Sequence, residues 1–503
     1  MKKRLQRAVS CLMLCALLIS GMAAPASAAG FTDVPASHWA ASSIQRCVEL
    51  GFFQGETATR FGLGHQMTRA AFVVVLGRFF GWKTEKVTKS TYGDVPANAW
   101  YAGAVEAAYA NGAVTLQSGD FRPEDPITRE ELAVMLVRAL GYGNIAGLVQ
   151  NLPMPFRDVT TNSGYITMAY DLGLVSGTSE TAFSPERTAT REQVAVILVR
   201  LYDKLHRSAP GKVGIAASAA ELPDLTGFEA VGMAAGKLLY KEGTVKLAWS
   251  VSQEDVEALG AAVSAAGAKQ LLYASGTENI LRANGSETAK TLAATVEEGG
   301  YDGLFLDVEK VSRDGRNSLT ALVSALRTEL DGRLLYVMAE APSWKGKTYE
   351  GYDYKALAAK ADRLVLRVTS YSEKAGDFPT APVEPLEELY YALGELRDQV
   401  DPSRLSLLMT TTGTVWTAGS KNGTASGMEV QELLTKLGVE DYYSNRYACA
   451  YLSGTVDRQS TVAWYLDGQA AEARTDLAAF FGVDQICLSQ LNGLWPELLD
   501  ALR

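Results

Sequence analysis

The stretch Tyr301-Asp-Gly-Leu-Phe-Leu-Asp-Val-Glu309 decides the fold prediction for the larger part of this chain. It contains four strongly apolar side chains: Leu304, Phe305, Leu306 and Val308. An apolar run of this length is typical of a strand buried on both faces. Asp307 and Glu309 are two residues apart, so on a strand they point to the same side at its carboxyl end.

Two carboxylates this close suggest two interpretations. Like charges side by side raise the pKa of at least one partner, which keeps a proton available for acid catalysis. Alternatively, the pair caps a helix or meets an Arg. Spacing alone leaves both interpretations open.

The stretch resembles the signature of family 18 glycoside hydrolases, Asp-Gly-x-Asp-x-Asp-x-Glu. Asp302, Gly303, Asp307 and Glu309 match it, and Phe305 replaces the middle Asp. The form here resembles the bacterial subgroup that acts on cell-wall or spore-cortex glycans more than it resembles classical chitinases. The resemblance implies that Glu309 is the general acid and that Asp307 orients the substrate's N-acetyl group, which attacks the anomeric carbon. It also makes Asp302 a catalytic candidate.

A chain of 503 residues is too long for one ordinary domain. From residue 227 to 503, apolar runs of strand length alternate with helical patterns, which predicts an α/β fold, a (β/α)8 TIM barrel. The predicted strands are 230–234, 245–250, 270–274, 303–308, 334–339, 364–369, 405–411 and 485–488. The two carboxylates then end the fourth strand, at the mouth where barrel enzymes build their sites.

The sixth and eighth strands depart from the family pattern. Where the family has Met-x-Tyr-Asp, this chain has Arg367 at the Met position, Thr369 or Tyr371 at the Tyr, and no Asp. The family ends strand eight with a Trp, and in this chain Ser489 stands near that position. Arg367 either replaces a lost polar contact or pairs with Glu309 and suppresses acid catalysis.

Four aromatic residues lie at or just after predicted strand ends, where rings can stack on sugar faces. They are Tyr273, Trp344, Tyr371 and Trp416. We predict that they bind the glycan substrate, with packing inside the fold as the alternative.

Residues 31–205 contain a threefold internal repeat. The copies open with Phe31-Thr-Asp33, Tyr92-Gly-Asp94 and Phe156-Arg-Asp158. Each later starts a helix with Thr-Arg, at Thr68-Arg69, Thr128-Arg129 and Thr190-Arg191. In the second and third copies a Glu or Gln three residues after the Thr predicts a capping box.

These copies resemble three S-layer homology (SLH) domains, at residues 29–90, 91–152 and 153–205. The resemblance implies an all-α three-repeat anchor that binds a secondary polymer of a Gram-positive-type cell wall. The residues expected to contact that polymer are Arg69, Arg129 and Arg191, through anionic groups, and Trp39, Trp100 and Tyr165, which would line the grooves. The alternative for the Arg residues is pairing with acids inside the domain.

The first 28 residues predict a secretory signal peptide. Lys2, Lys3, Arg4 and Arg7 precede an apolar run at 8–22, and Ala-Ser-Ala at 26–28 offers a cleavage site. Residues 206–226 are predicted to be a linker. No second hydrophobic span follows, so we expect a secreted protein held at the cell surface by binding.

Removing four basic residues and no acid would take the net charge from −10 to −14, which argues against a nucleic-acid partner. Three mature Cys residues do not make a disulfide framework, and three His residues show no metal-ligand spacing. No metal or cofactor is expected.

The sequence therefore predicts a multidomain protein with two candidate functions. The leading hypothesis is a wall-anchored glycoside hydrolase that cleaves an N-acetylglucosamine-containing glycan such as peptidoglycan. The alternative is a catalytically degenerate glycan-binding barrel or a structural surface-layer protein, because the altered sixth and eighth strands favour binding without turnover.

Overall fold

The computed structural model describes residues 30–116, 119–369, 371, 381–420 and 423–502. The chain divides into two compact units, the first ending at Arg207 and the second beginning at Ser208. The predicted signal peptide lies outside the described residues. In the described part, no helix is long and apolar enough to cross a membrane.

The first unit is α-helical. Its helices are α1 (Ala41–Glu49), α2 (Arg69–Phe79), α3 (Ala102–Ala110), α4 (Arg129–Ala139), α5 (Gly143–Leu148), α6 (Ser163–Asp171) and α7 (Arg191–Leu205). The second helix of each repeat packs on the first helix of the next: α2 on α3, α4 on α6, and α7 back on α1. The three repeats therefore close into a ring.

Backbone hydrogen bonds join the repeats at the centre of this ring. The N–H of Met67 donates to the carbonyl of Ala189, Ala189 donates to Ile127, and Ile127 donates to Met67, at 2.8 to 3.0 Å. All three residues directly precede a motif Thr and are buried. Because each repeat supplies a donor and an acceptor to different neighbours, no repeat completes this core alone.

The motif Thr residues start the second helices as predicted. Thr128 and Glu131 form both halves of a capping box at α4. At α7, the Gln193 side chain accepts the backbone N–H of Thr190 at 3.1 Å.

The second unit contains two sheets. Its strands are β1 (Gly211–Ala216), β2 (Phe228–Lys241), β3 (Thr244–Trp249), β4 (Lys269–Thr277), β5 (Gly303–Glu309), β6 (Leu334–Glu340), β7 (Arg363–Arg367), β8 (Leu405–Met409), β9 (Gly413–Thr417), β10 (Gly423–Ala425), β11 (Val439–Ser444), β12 (Cys449–Val456), β13 (Gln459–Tyr465) and β14 (Gln485–Leu488). Its helices are α8 (Gln253–Ala265), α9 (Gly285–Glu298), α10 (Arg316–Glu329), α11 (Tyr354–Ala358), α12 (Leu386–Leu396), α13 (Gly427–Thr435), α14 (Gly468–Phe480) and α15 (Pro496–Asp500).

Eight parallel strands form a closed barrel. They pair in the order β1-β2-β4-β5-β6-β7-β8-β14, and β14 pairs with β1 again. Alternate side chains fill the interior, with Phe305 and Tyr336 among the largest. The predicted multidomain fold, an α-helical anchor followed by an α/β barrel, is confirmed.

Two of the predicted boundaries are wrong. The first barrel strand, β1, lies inside the stretch 206–226 that was predicted to be a linker, so the barrel begins before residue 227. The predicted strand 245–250 is β3, which pairs antiparallel with β2 outside the ring. These errors cancel, so β5 is still the fourth barrel strand. β1 contains Gly211 and Gly214, residues that are typical of linkers, but Gly214 is required by packing, since an added Cβ would lie 2.5 Å from Leu491.

A second, antiparallel sheet is inserted between β8 and α14. Its strands run in the order β10-β9-β13-β12-β11, and α13 contacts β11, β10 and β13. This sheet was not among the predicted elements. It carries Trp416, which was expected at or just after the end of a barrel strand.

Candidate active site and candidate wall-binding groove

Strand β5 brings the two signature carboxylates to one end of the barrel. Its register places Asp307 between Ser275 of β4 and Met338 of β6. Asp307 is fully buried, and Glu309, two residues further along, is exposed. Since Phe305 lies in the barrel core, the alternation along the strand puts all three side chains on the inward face.

Asp307 is held by two donors on one oxygen. The Tyr273 hydroxyl donates to Oδ2 at 2.6 Å, and Nη2 of Arg367 donates to the same atom at 2.5 Å. Nη1 of Arg367 reaches Oε1 of Glu340 at 2.9 Å. The other oxygen of Asp307, Oδ1, is buried and has no hydrogen-bond partner among the residues that the structure describes.

The position of Arg367 answers the question that the sequence left open. It pairs with Asp307 and Glu340, and within the described residues Glu309 forms no ion pair with it. Burial alone would lower the pKa of Arg367, but the carboxylates of Asp307 and Glu340 outweigh that effect and raise it. Burial, followed by the charge of Asp307, raises the pKa of Tyr273 as well, so its hydroxyl stays a donor.

Asp302 lies at the opposite end of β5, and its predicted catalytic role is wrong. Its Oδ2 accepts the backbone N–H of Gln270 at 2.9 Å, and its Oδ1 pairs with Lys269 at 3.1 Å. It precedes Asp307 by five positions, a distance of roughly 16 Å along the barrel wall. The structure therefore gives Asp302 a role in joining β5 to β4.

Two of the predicted aromatic residues come together beside the mouth. The Tyr371 hydroxyl donates to Glu388 at 2.9 Å and lies 3.3 Å from Glu387. The backbone N–H of Trp344 donates to Glu388 at 2.8 Å, and the Lys345 ammonium lies 4.2 Å from the centre of the Trp344 ring. Glu388 thus ties the loops after β6 and β7 together.

The other two aromatic residues lie in different surroundings. Tyr273 is a hydrogen-bond donor to Asp307 rather than an open ring face. Trp416 lies on β9 of the inserted sheet, opposite Val462. Trp416 therefore follows the barrel strand β8, but it belongs to a strand of the second sheet, and its contact with a glycan stays a prediction.

Sequence reasoning missed three acidic residues near the mouth: Glu340, Glu387 and Glu388. All three are buried. Glu340 ends β6 as Glu309 ends β5, so the same strand-end pattern would have identified it. Glu387 and Glu388 begin α12, where no periodic signal separates a buried carboxylate from the acidic first turn of an exposed helix.

Glu384, which precedes α12, is a further buried carboxylate. Its Oε1 accepts the backbone N–H of Thr410 at 2.7 Å, and its Oε2 lies 4.0 Å from Nε of Arg474. Burial raises the pKa of Glu384 to about 6, against the opposing effects of Arg474 and the Thr410 hydrogen bonds.

This raised pKa predicts a loss of stability with rising pH. Above the ordinary value of 4.5, the folded state holds the Glu384 proton longer than the unfolded chain does. Its contribution is therefore complete below pH 4.5 and is lost as pH rises through 6, by about 2 kcal/mol. We expect the unfolding free energy of the parent to fall by that amount relative to Glu384→Gln between pH 4 and pH 7.5 in urea titrations. The exposed Glu329→Gln change is the control, and equal slopes for parent and Glu384→Gln would contradict the prediction.

The three motif Arg residues of the anchor lie between repeats. Their Nε atoms donate to main-chain carbonyls of another repeat at 2.6 to 2.9 Å: Arg69 to Phe121, Arg129 to Phe183 and Arg191 to Phe61. Each guanidinium also lies 4.5 to 5.1 Å from the ring centre of that Phe. Burial lowers the pKa of all three.

These contacts give the three Arg residues a structural role between repeats, and their contacts with the polymer stay a prediction. The side chain of Arg69 is only 6% exposed and that of Arg191 only 13%. The alternative, an acid inside the domain, holds for Arg69, which pairs with Glu131 at 2.7 Å. The guanidinium fork suits backbone carbonyls as well as anions, so sequence could not separate the two roles.

The aromatic candidates of the anchor differ from one another. Trp39 and Trp100 are 62% and 68% exposed. Tyr165 is half-buried in α6, and its hydroxyl contacts Arg138 and the carbonyl of Gly143. The third repeat reaches its first helix three residues sooner after the opening Asp than the other two, so the position of the Trp is missing. Tyr165 does not replace it.

An open groove lies between the end of α2 and the start of α3. It has a volume of about 850 Å³ and is lined by two aromatic and two basic side chains, among others: Trp82, Trp100, Arg78 and Lys86. The corresponding space between α4 and α6 holds α5. There the carbonyl of Ala146 approaches Gly164 so closely that an added Cβ would lie 1.9 Å from the oxygen.

No group of three His, Cys, Asp or Glu side chains that would suit a metal ion occurs in the described part of the chain.

Three segments of the chain, 30–73, 91–133 and 155–195, match the S-layer homology domain family. The chain is 30% identical over 250 residues to an endoglucanase of Bacillus sp. (strain KSM-635), which covers 45% of this chain and 26% of that protein. It is 28% identical over 204 residues to the S-layer protein sap of Bacillus anthracis, covering 39% and 24%. The chain thus spans about a quarter of the length of these curated relatives.

Solved structures share the barrel fold. The spore cortex-lytic enzyme SleL of Bacillus megaterium QM B1551 superposes with a TM-score of 0.51 at 17% identity, covering 67% of this chain and 80% of that one. A class V chitinase from Pseudomonas fluorescens Pf-5 gives 0.51 at 19% identity, covering 58% and 98%. At these identities the likeness establishes the fold alone.

Proposed function

We propose that this chain, which carries three S-layer homology domains followed by a barrel with the fold of family 18 glycoside hydrolases, is a wall-anchored glycosidase. Its substrate would be a glycan containing N-acetylglucosamine, with peptidoglycan the nearest source. The observation that carries the proposal is the pair on β5. Glu309 is exposed at the barrel mouth and unpaired with Arg367, while its neighbour Asp307 is buried and hydrogen-bonded.

The geometry suits a substrate-assisted retaining mechanism. Glu309 would protonate the leaving glycosidic oxygen, since its carboxyl group faces solvent at the strand end. Asp307 would accept the N–H of the substrate's acetamido group through Oδ1, its unpartnered oxygen. The acetamido oxygen would then attack the anomeric carbon, and Glu309 would activate the water that opens the resulting ring.

Two features support this substrate class. The solved structures that share the fold include a spore cortex-lytic enzyme and a chitinase. The three anchor repeats, which match the S-layer homology family, would hold the barrel next to its polymer and raise the effective substrate concentration.

The test is the release of reducing sugar ends by the full chain. Purified peptidoglycan and N-acetylglucosamine oligomers are the substrates, and buffer alone sets the background. Release from either substrate supports the proposal. The absence of release from both would overturn it.

A second candidate is a glycan-binding barrel without turnover. It is favoured by Arg367, which binds the carboxylate that would orient the substrate, and by Phe305, which replaces a signature acid. Binding of the same oligomers without release of reducing ends is the result expected for this candidate.

We expect the anchor to bind the wall polymer in the groove between α2 and α3. Trp100 is exposed there beside basic side chains, an arrangement that suits an acidic saccharide. Trp100→Ala should weaken co-sedimentation of the full chain with purified walls by about tenfold or more, because a buried aromatic contact often dominates such an interface. Trp249→Ala, an exposed Trp of the other unit, is the matched control. Equal binding by both variants would contradict the assignment.

A further inference from the structure

We propose that Arg367 is the positioning residue for Asp307, fixing its carboxylate so that Oδ1 faces the acetamido group of the glycan. This inference rests on the proposed function, because it names what prepares the same site. The support for this inference is the set of contacts that Arg367 makes. Arg367 lies on β7, at a position where the family pattern has Met.

Asp307 needs a cation because it is fully buried. An ionised carboxylate in the protein interior is strongly unfavourable unless it is paired and hydrogen-bonded. Its register neighbours, Ser275 and Met338, carry no charge. Tyr273 supplies a neutral hydroxyl, and Arg367 supplies the positive charge at 2.5 Å.

The guanidinium group of Arg367 also has a fixed orientation between two carboxylates. Arg367 on β7 is the register partner of Glu340 on β6, and its Nη1 binds that carboxylate at 2.9 Å. Its Nη2 then extends to Asp307 on β5. With two nitrogens bound to two carboxylates, the planar fork holds one orientation, which a single Lys ammonium does not impose.

This arrangement leaves Asp307 with one hydrogen-bonded oxygen and one oxygen that has no partner among the described residues. Tyr273 and Arg367 both donate to Oδ2, so rotation of the carboxylate would break both hydrogen bonds. Oδ1 is buried and unpartnered. Oδ1 is therefore the oxygen left to accept an N–H donor from a ligand, and that donor would be strongest in the cyclised, positively charged intermediate.

The test compares two ligands by calorimetry on the full chain. One is N,N′-diacetylchitobiose, and the other is its thiazoline derivative, whose ring mimics the cyclised acetamido group. We expect the parent to prefer the thiazoline, and Arg367→Met to reduce that preference at least tenfold while chitobiose affinity changes less than threefold. A purely structural role would lower both affinities together.

Arg367→Lys keeps the charge and tests the fork if the Met variant does not fold. A normally melting Lys variant that loses the thiazoline preference supports the proposal, and one that keeps it overturns the proposal. Arg363→Met is the matched control, since this Arg lies on the same strand and pairs with Asp484 at the other end.

The ligand comparison and the release of reducing ends test the role of Arg367 and the glycosidase proposal separately. Release of reducing ends by a parent that binds the two ligands equally would overturn the role of Arg367 and leave the glycosidase standing. A parent that prefers the thiazoline without releasing reducing ends would support Arg367 and overturn the glycosidase.

Discussion

Glu309→Gln is expected to reduce the release of reducing ends from N-acetylglucosamine oligomers by about 10²- to 10⁴-fold, the usual contribution of general acid catalysis. The amide has nearly the same shape as the carboxyl group but cannot act as the acid that protonates the glycosidic oxygen. Glu309 is exposed at the end of β5, so the change should leave the melting temperature within a degree or so of the parent. Initial rates with matched enzyme concentrations measure the loss.

The matched control for this change is Asp302→Asn on the same strand. Both variants exchange a carboxylate for an amide, but Asp302 lies at the other end of β5, where it binds Gln270 and Lys269. We expect Asp302→Asn to keep at least half of the parent rate. A Glu309→Gln variant with more than a third of the parent rate would remove Glu309 from the mechanism. A strong loss in Asp302→Asn alone would restore the role that the signature assigned to it.

Arg474→Met is expected to destabilise the second unit by roughly 3–5 kcal/mol, the range measured when one partner of a buried ion pair is removed. Arg474 is fully buried, and its nitrogens donate to the carbonyls of Ala448, Ala470, Val383 and Glu384. The Met side chain fills similar space but leaves four carbonyls and the Glu384 carboxylate without this partner. A lower urea midpoint for the transition of the second unit measures the effect.

Arg282→Met provides the comparison for that experiment. Arg282 is exposed after β4, and its replacement should change the unfolding free energy by less than about 0.5 kcal/mol. If Arg474→Met unfolds with the parent's midpoint, the carbonyls around Arg474 must find other donors, and the predicted penalty is wrong. Comparing the two variants distinguishes the effect of removing a buried charged side chain from the effect of replacing an exposed Arg.

The sequence by itself determined the repeat architecture of the first unit and the barrel of the second, but not the antiparallel sheet inserted in that barrel. The threefold repeat was visible because each copy needs the same opening Asp and the same Thr at a helix start. The fourth barrel strand was predicted from its apolar run, because a strand buried on both faces is expected to be apolar. The two carboxylates were identified as candidate site residues because they depart from that pattern. These are local properties, set by side-chain type and spacing within a few residues.

Only the tertiary structure decided what the charged side chains bind. Whether Arg69 reaches a polymer or a carbonyl of the next repeat depends on residues 52 positions away, and the partners of Arg367 come from two other strands. Ring closure likewise made a strand of the short β1 segment, because its pairing partners β2 and β14 lie at both ends of the unit. Local pattern sets where a side chain points along its own element, but long-range packing sets what it meets there.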